Sequence, residues 1–102
     1  MYKIGNRIFD WDEDKYKANK EKHKVNFREA ATVFGDPNAV IRYDDEHSYD
    51  EDRFTVIGIS KNMRILTVCH CFRASGDIIR IISARRATKS EIKVYGGVSS
   101  GK

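Results

Sequence analysis

The sequence predicts an α+β domain in which N-terminal helices pack on an antiparallel sheet of about four strands, and a short C-terminal helix closes the chain. Three observations lead to this fold class. Helix N-cap signals occur at residues 12, 26 and 88, an apolar stripe at helical spacing lies between residues 27 and 34, and four apolar runs follow at hairpin spacing from residue 39 to residue 85. Antiparallel sheets often keep one face in water, so we expect the helices to cover the other face.

The first helix is predicted over residues 13–23. Residues 2–9 alternate weakly and predict a short strand or an extended lead before it. Asp12 is a good N-cap, acidic residues fill the first turn, and lysines dominate the later turns, as the helix dipole favours. The face at i, i+3 and i+4 spacing carries Tyr16, Asn19 and His23, which is not an ordinary apolar stripe. A polar inward face of this kind needs hydrogen-bond partners elsewhere in the fold.

The second helix has a plain amphipathic pattern. Asn26, followed three residues later by Glu29, forms a capping-box-like start. One stripe holds the apolar residues Phe27, Ala30, Ala31 and Phe34. Gly35 is expected to end this helix in the left-handed conformation.

The predicted strands form a meander over residues 39–43, 53–60, 64–72 and 77–85. Tight turns at residues 61–63 and 74–76 join the last three strands. Thr88 with Glu91 is a second capping-box pattern, so a short helix is predicted over about residues 88–95, ending at Gly96-Gly97. The chain is therefore interpreted as a single domain over residues 1–96 with a flexible tail over residues 97–102.

Length and composition narrow the class of protein. With 102 residues, 40% of them hydrophobic, the chain has room for one core. No segment reaches the roughly 20 apolar residues of a membrane span, and the N-terminus lacks the apolar core of a signal peptide, so we interpret the protein as cytoplasmic. Cys69 and Cys71 are expected to be reduced core residues, because same-face neighbours on a strand point in parallel and do not readily close a disulfide. Adjacent strand positions point to opposite faces, which disfavours a Cys-His-Cys metal site. No cofactor and no metal ligand set is predicted.

The charge of the chain is unevenly distributed. The net charge is +4, but residues 44–52 hold six of the fifteen acidic residues and no lysine or arginine. The remainder therefore carries a charge of +10. Such a surface favours polyanions, of which nucleic acid is the commonest, although a merely solvated basic surface is an equally good interpretation of charge alone.

Three arginines in and just after the last predicted strand are the strongest functional signal. Arg80, Arg85 and Arg86 interrupt an otherwise apolar run. An unpaired guanidinium in a low-dielectric environment costs several kcal/mol, so each must find a carboxylate, solvent or a bound anion. Glu51 or Glu91 would neutralise one of them and leave another to grip phosphate oxygens. Arg85 lies on the opposite face from Arg80 unless the strand is bulged.

Other candidate residues have both structural and functional interpretations. His23, beside Lys22, would exchange protons near neutral pH or cap its helix. Glu51 and Arg53 share a face as an ion pair, or as a base beside a phosphate anchor. Trp11 would stack on bases or pack at the mouth of the core. The two remaining histidines, His47 and His70, are interpreted as structural.

Taken in order, these motifs resemble the BrnT family of bacterial toxins. The matching residues are Phe9-Asp10-Trp11-Asp12, Asn19, Lys22-His23, Phe27, Ala30, Val33-Phe34-Gly35-Asp36-Pro37, Glu51, Arg53, Gly58, the run from Arg80 to Ala87, Glu91 and Tyr95. The resemblance implies a RelE-like fold, RNA cleavage without a metal ion, and inhibition of translation. It also implies a cognate BrnA-like antitoxin as partner, in a hetero-oligomer that binds operator DNA through the antitoxin. Lys24 departs from the glycine common in the family, which affects the turn more than the chemistry.

The resemblance implies a reaction in which a ribose 2′-hydroxyl attacks the adjacent phosphate and leaves a 2′,3′-cyclic phosphate. His23 or Glu51 would be the base, and Arg53 and Arg80 would stabilise charge. The substrate-binding residues would be Lys22, Trp11, Arg85 and Arg86. The competing interpretation is a non-catalytic module that binds nucleic acid or an antitoxin in transcriptional regulation, although no helix-turn-helix spacing supports it. A degenerate toxin kept as an antitoxin partner is a third interpretation.

Overall fold

The computed structural model describes residues 1–100, with the backbone alone for residues 98–100. Six strands and three α-helices follow one another in this part of the chain. The strands are β1 (Tyr2–Ile4), β2 (Arg7–Asp10), β3 (Val40–Tyr43), β4 (Phe54–Ile59), β5 (Ile65–Arg73) and β6 (Ile78–Arg86). The helices are α1 (Glu13–His23), α2 (Phe27–Thr32) and α3 (Lys89–Ser100). The α+β class, the bounds of the first helix and the meander from β3 to β6 are confirmed.

The sheet is larger than predicted because the N-terminal lead joins it as a hairpin. The strand order over the described residues is β1-β2-β6-β5-β4-β3. β2 runs parallel to β6, and the other neighbouring strands are antiparallel. The prediction of an antiparallel sheet of about four strands is therefore wrong in strand number and in the direction of one pair. Without β2, the first half of β6 would be an unpaired apolar edge, which folded proteins avoid.

The polar inward face of α1 has the partner that the sequence requires. Asp12 caps the helix, and its carboxylate accepts the Lys15 N–H at 3.1 Å. β2 pairs with β6 only as far as Arg80. Farther along the same edge, the side chain of Asn19 is buried, donates to the Ala84 carbonyl at 2.9 Å and accepts the Ala84 N–H at 3.1 Å. Asn19 thus takes the place of a strand on this part of the β6 edge.

At the start of α2, Asn26 and Glu29 play different parts. The Asn26 side chain accepts the Arg28 N–H at 2.7 Å, so the predicted N-cap is confirmed. Glu29 does not complete a capping box, because its carboxylate is buried and accepts hydrogen bonds from Ser60 Oγ at 2.6 Å and from Arg64 Nε at 2.9 Å. The Arg64 guanidinium holds the pKa of Glu29 below its ordinary value despite the burial. This ion pair fixes α2 to the turn between β4 and β5.

The residue that ends a helix in the left-handed conformation is Lys24, after α1, and not Gly35, after α2, as predicted. A single 3₁₀ turn continues from α2 to Gly35, whose φ angle is not positive, so the predicted left-handed cap at Gly35 is wrong. Gly35 instead belongs to this 3₁₀ turn, in which the Asp36 N–H donates to the Val33 carbonyl at 3.1 Å. Lys24 ends α1 instead, with a φ angle of 59° and its N–H bound to the Lys20 carbonyl at 2.9 Å.

The capping box of α3 is confirmed in both directions. Glu91 N–H donates to Thr88 Oγ1 at 3.2 Å, and Thr88 N–H donates to Glu91 Oε1 at 2.9 Å. The helix runs on past Gly96-Gly97, where its end was predicted. The last two residues of the predicted tail, 101–102, lie outside the described residues.

The core lies between the sheet and the helices α1 and α2. Its fully buried side chains include Phe9, Val25, Phe27, Val33, Leu66, Val68 and Ile81. His70 is also fully buried, its ring packs against Phe34 and Phe54, and burial lowers its pKa. None of the described helices is both long and apolar enough to cross a membrane.

Candidate active site

A β-bulge in β6 brings two of the predicted arginines to the same face of the sheet. The register against β5 shifts between Ser83 and Ile81, so Ile82 is the extra residue. Ile81 and Ala84 are both buried toward α1 and α2 although they are three positions apart. Arg80 and Arg85 therefore both point to the opposite face, and the sequence analysis had left this open.

Neighbouring strands then gather charged side chains into a small cleft of about 70 Å³. Arg80 on β6 lies opposite Cys71 on β5, and the chain segment that leads into β4 borders the same end of β5. The charged lining residues are Asp12, Lys15, Glu51, Arg53, Arg73 and Arg80. Four cations and two carboxylates therefore meet in one cleft, which is an electrostatic environment suited to an anion. Three of the four predicted catalytic residues lie here, and the sequence analysis did not identify Arg73 or Lys15.

Arg80 is held in place by an ion pair at the edge of the cleft. Asp10 on β2 is its register partner on β6. The Asp10 carboxylate accepts hydrogen bonds from Arg80 Nε and Nη2, each at 3.0 Å. This contact lowers the pKa of Asp10 and raises that of Arg80. The guanidinium is thus fixed in orientation, with Nη1 remaining for another acceptor.

Glu51 pairs with a different arginine from the one that the sequence suggested. Its carboxylate accepts a hydrogen bond from Arg73 Nη1 at 2.6 Å, rather than from Arg53. The Cys71 thiol and the Arg73 guanidinium lower the pKa of Glu51, whereas burial and then Glu51 raise the pKa of Cys71 to about 11. Glu51 therefore stays ionised at neutral pH, but its lowered pKa makes it a weak base.

Among the arginines of the cleft, Arg53 is the one that no carboxylate of the described residues holds. Its side chain makes no hydrogen bond or ion pair with any residue in the described part of the chain. Its Nε atom is buried and lacks a hydrogen-bond partner among the described residues. Leaving a buried donor unsatisfied costs about 1–3 kcal/mol.

A second cavity of about 260 Å³ adjoins the cleft and contains a histidine. It is lined by His47, Tyr49 and Asp50, and it shares Glu51 and Arg53 with the cleft. His47 Nδ1 lies 3.0 Å from a carboxylate oxygen of Asp44, and this contact orients the ring. Nε2 is the ring nitrogen that the contact does not involve. The sequence analysis had interpreted His47 as structural. The sequence signal that could have indicated a functional role for His47 is its position in the same loop, four residues before Glu51.

Lys22 and His23 do not belong to this cleft. They lie at the C-terminal end of α1, whereas Asp12 and Lys15 at its N-terminal end line the cleft. At 1.5 Å per residue, His23 is about 16 Å along the helix from Asp12. His23 is half-buried and Lys22 is exposed. Their predicted catalytic and binding roles remain predictions, but the fold does not bring them to Glu51, Arg53 and Arg80.

Of the other predicted substrate-binding residues, Trp11 and Arg85 make structural contacts. The ring of Trp11 packs against Tyr2, Tyr16 and Phe27, and its Nε1 donates to Glu13 at 3.1 Å. Arg85 makes a two-pronged ion pair with Glu91, at 2.8 and 2.9 Å, as the sequence analysis had allowed. Arg86 is exposed at the end of β6. None of these three lines the cleft.

Among the described side chains, no group of three or more His, Cys, Asp or Glu residues is arranged to hold a metal ion. Cys69 and Cys71 are both free thiols; Cys71 is buried, as expected of a core residue, whereas Cys69 is only partly buried.

Comparison with known proteins adds a family to this geometry. The model of a protein family described as "Ribonuclease toxin, BrnT, of type II toxin-antitoxin system" matches residues 11–91. The fold is similar to that of the crystal structure of the Brucella abortus ribonuclease toxin BrnT, with a TM-score of 0.61 and 21% sequence identity over 81% of this chain and 99% of the other. A search of curated protein sequences finds no match.

Proposed function

The chain belongs to the BrnT family of type II ribonuclease toxins, and from this premise we propose that it is a metal-independent endoribonuclease whose active site is the arginine cleft. In the proposed reaction the ribose 2′-oxygen attacks the adjacent phosphorus and the bond to the 5′-oxygen breaks. The products are a 2′,3′-cyclic phosphate and a 5′-hydroxyl end. The reaction needs a base for the 2′-hydroxyl proton, an acid for the leaving oxygen, and cations for the phosphorane charge.

The observation that carries this proposal is the unpartnered Arg53 guanidinium among the other cations of the cleft. Arg73 and Arg80 are each held by a carboxylate, so their positions are set before any ligand arrives. Arg53 has no such partner among the described residues. Fixed cations aimed at a developing charge stabilise a transition state without reorganisation, and losing one such group typically costs 10²–10³ in rate. A guanidinium also matches two phosphate oxygens at once.

Proton transfer falls most naturally to His47, because it shares a cavity with Glu51 and Arg53 and is oriented by Asp44. An imidazole can serve as a general base or as a general acid. Glu51, with its lowered pKa, is better suited to holding Arg73 and the substrate than to removing a proton. His23 remains the alternative base if the RNA extends along α1, and Lys22 would then contact its backbone.

The proposal includes the biological setting that the family implies. The protein would inhibit translation by cutting RNA and would be neutralised by a BrnA-like antitoxin. The hetero-oligomer of the two would bind operator DNA through the antitoxin. We also propose that the fold is RelE-like, which the mixed sheet and the short helices are compatible with.

The test is incubation of the purified, antitoxin-free protein with labelled single-stranded RNA in EDTA, with analysis of the new ends. We expect cyclic-phosphate ends, and a loss of 10²–10³ in rate for Arg53→Ala. Arg42→Ala is the matched control, because Arg42 is exposed on β3 outside the cleft, and it should keep the wild-type rate. His47→Ala and His23→Ala, measured side by side, identify the base.

Two results would count against the proposal. Folded Arg53→Ala that cleaves at the wild-type rate would remove the cleft as the active site. RNA that the folded wild-type protein binds but leaves intact would indicate the non-catalytic binding module instead.

A further inference from the structure

An apolar groove of about 280 Å³ lies beside the end strand β3, away from the arginine cleft. Phe34, Ile41, His70 and Phe72 contribute to its walls, and we call it the β3 groove. Ile41 is 60% exposed and Phe72 is 46% exposed, so two large apolar side chains face solvent at one place. Contiguous exposed apolar surface on a small domain marks an interaction site more often than isolated apolar residues do.

The apolar surface continues from the β3 groove to the acidic loop of residues 44–52. The ring of Phe72 contacts that of Phe54 at 5.6 Å between centroids, and Phe54 contacts Tyr43 at the same distance. The Tyr43 hydroxyl then donates to the Asp52 carboxylate at 3.0 Å. Asp52 lies between Glu51 and Arg53, whose side chains line the cleft. A continuous strip therefore leads from the groove to the loop that carries the proposed active site.

Two features of the β3 groove indicate that it accommodates a polypeptide. β3 is the last strand of the sheet over the described residues, so it has a strand neighbour on one side only. The free edge of a strand is a template for an added extended segment. His70, in the groove wall, is fully buried and its Nε2 has no hydrogen-bond partner among the described residues.

We infer that the β3 groove and the acidic loop together dock a basic segment of the antitoxin that carries apolar side chains. This inference rests on the proposed function, because the proposed function includes the antitoxin as a partner. The groove and the loop would be the surface that the antitoxin binds. Apolar side chains of the segment fill the groove, and its lysines or arginines pair with the loop, which holds six acidic residues and no lysine or arginine. RNA suits this strip poorly, because its phosphates would meet the same carboxylates.

The arrangement also explains how such a partner would inhibit the toxin. A segment whose cations pair with the acidic loop contacts residues 44–52, which include His47 and Glu51 of the second cavity. Its bulk would then close the cavity that His47 shares with Glu51 and Arg53. Inhibition would come from covering the site, with no change in its internal geometry.

The experiment measures binding of the separately purified cognate antitoxin by titration calorimetry. Ile41→Ser and Phe72→Ser, each checked for folding by thermal denaturation, should weaken binding at least tenfold. Met63→Ser is the matched control, since Met63 is 76% exposed in the turn between β4 and β5 and does not line the groove. Asp45→Asn with Glu46→Gln should weaken binding and reduce its dependence on salt. Ile41→Ser should cut RNA at the wild-type rate when free, but should resist inhibition.

The possible results separate this inference from the proposed function. Wild-type affinity in folded Ile41→Ser and Phe72→Ser would overturn the docking site while leaving RNA cleavage untouched. Loss of antitoxin binding in these variants, with no cleavage by the wild-type protein, would support the docking site and count against the nuclease. A dimer of the free protein that Ile41→Ser dissociates would assign the groove to a second copy and overturn the inference. Loss of RNA binding in Phe72→Ser would assign it to RNA and also overturn it.

Discussion

Replacing Glu91 with glutamine removes the charge that ties α3 to the sheet. Glu91 accepts hydrogen bonds from both terminal nitrogens of Arg85, from Thr67 Oγ1 at 2.9 Å and from the Thr88 N–H. The Arg85 guanidinium is the main cause that lowers the pKa of Glu91 from 4.5 to about 2. A shift of this size corresponds to about 3 kcal/mol of stability. The side chain of Arg85 is 38% exposed, so solvent screening reduces the expected loss in Glu91→Gln to about 2 kcal/mol.

The pH dependence of this loss is fixed by the direction of the shift. Because the pKa of Glu91 is lower in the folded protein, its contribution is complete above the unfolded value of 4.5 and is lost as the pH falls toward about 2. The free energy of unfolding, from urea titrations of both proteins, should therefore differ by about 2 kcal/mol at pH 7 and by about half of that or less at pH 3.

Glu46→Gln is the control, because Glu46 is exposed in the acidic loop and its side chain makes no hydrogen bond or ion pair with the described residues. It should change stability by less than about 0.5 kcal/mol at either pH. A Glu91→Gln loss that is equally large at pH 7 and pH 3 would refute the electrostatic explanation. A loss below about 0.5 kcal/mol at pH 7 would show that the ion pair does not stabilise the fold.

Three further substitutions test how the fold is held together, each by urea denaturation. Asn19→Ala should lower the free energy of unfolding by about 2–3 kcal/mol, because the buried N–H and carbonyl of Ala84 lose their hydrogen-bond partners. Unchanged stability would mean that water replaces these two hydrogen bonds. Gly58→Ala should cost about 1–3 kcal/mol, because an added Cβ would lie 2.8 Å from a methyl group of Val33, and unchanged stability would contradict close packing there. Lys24→Gly should raise stability by about 1 kcal/mol, because the φ angle of 59° favours glycine, and a loss would show that the lysine side chain outweighs the strain.

Local patterns in the sequence predicted the elements that depend on near neighbours. The N-caps at Asp12 and Asn26 and the capping box of Thr88 with Glu91 form within three residues, so they are visible in the sequence and are confirmed. The meander strands were also predicted, because short turns join the last three and apolar runs mark all of them. Glu29 was wrongly predicted to complete a capping box, because its actual partner, Arg64, lies 35 residues away and is not a near neighbour.

The candidate site was predicted in part. The arginine-rich run pointed to Arg80, and the spacing of Glu51 and Arg53 on one strand face pointed to these two; all three line the cleft. His23 was chosen for its chemistry, but α1 carries it to the opposite end from the cleft. His47, on the other hand, was set aside because the acidic loop looked like a solvated segment, whereas folding places it in a cavity with two cleft residues.

The sequence by itself determined the class of fold, the helix starts and the residue types that can bind phosphate, because these follow from local propensity, capping and charge. Only the tertiary structure decided which arginines are neutralised and which is left available. Asp10 meets Arg80 because β2 runs parallel to β6, and Glu51 meets Arg73 although 22 residues separate them. The pair of Arg85 with Glu91, six residues apart, was already open from the sequence. Arg53 is left without a carboxylate among the described residues. Ion pairing depends on distances of a few ångströms between residues far apart in sequence, and those distances are set by strand order and register.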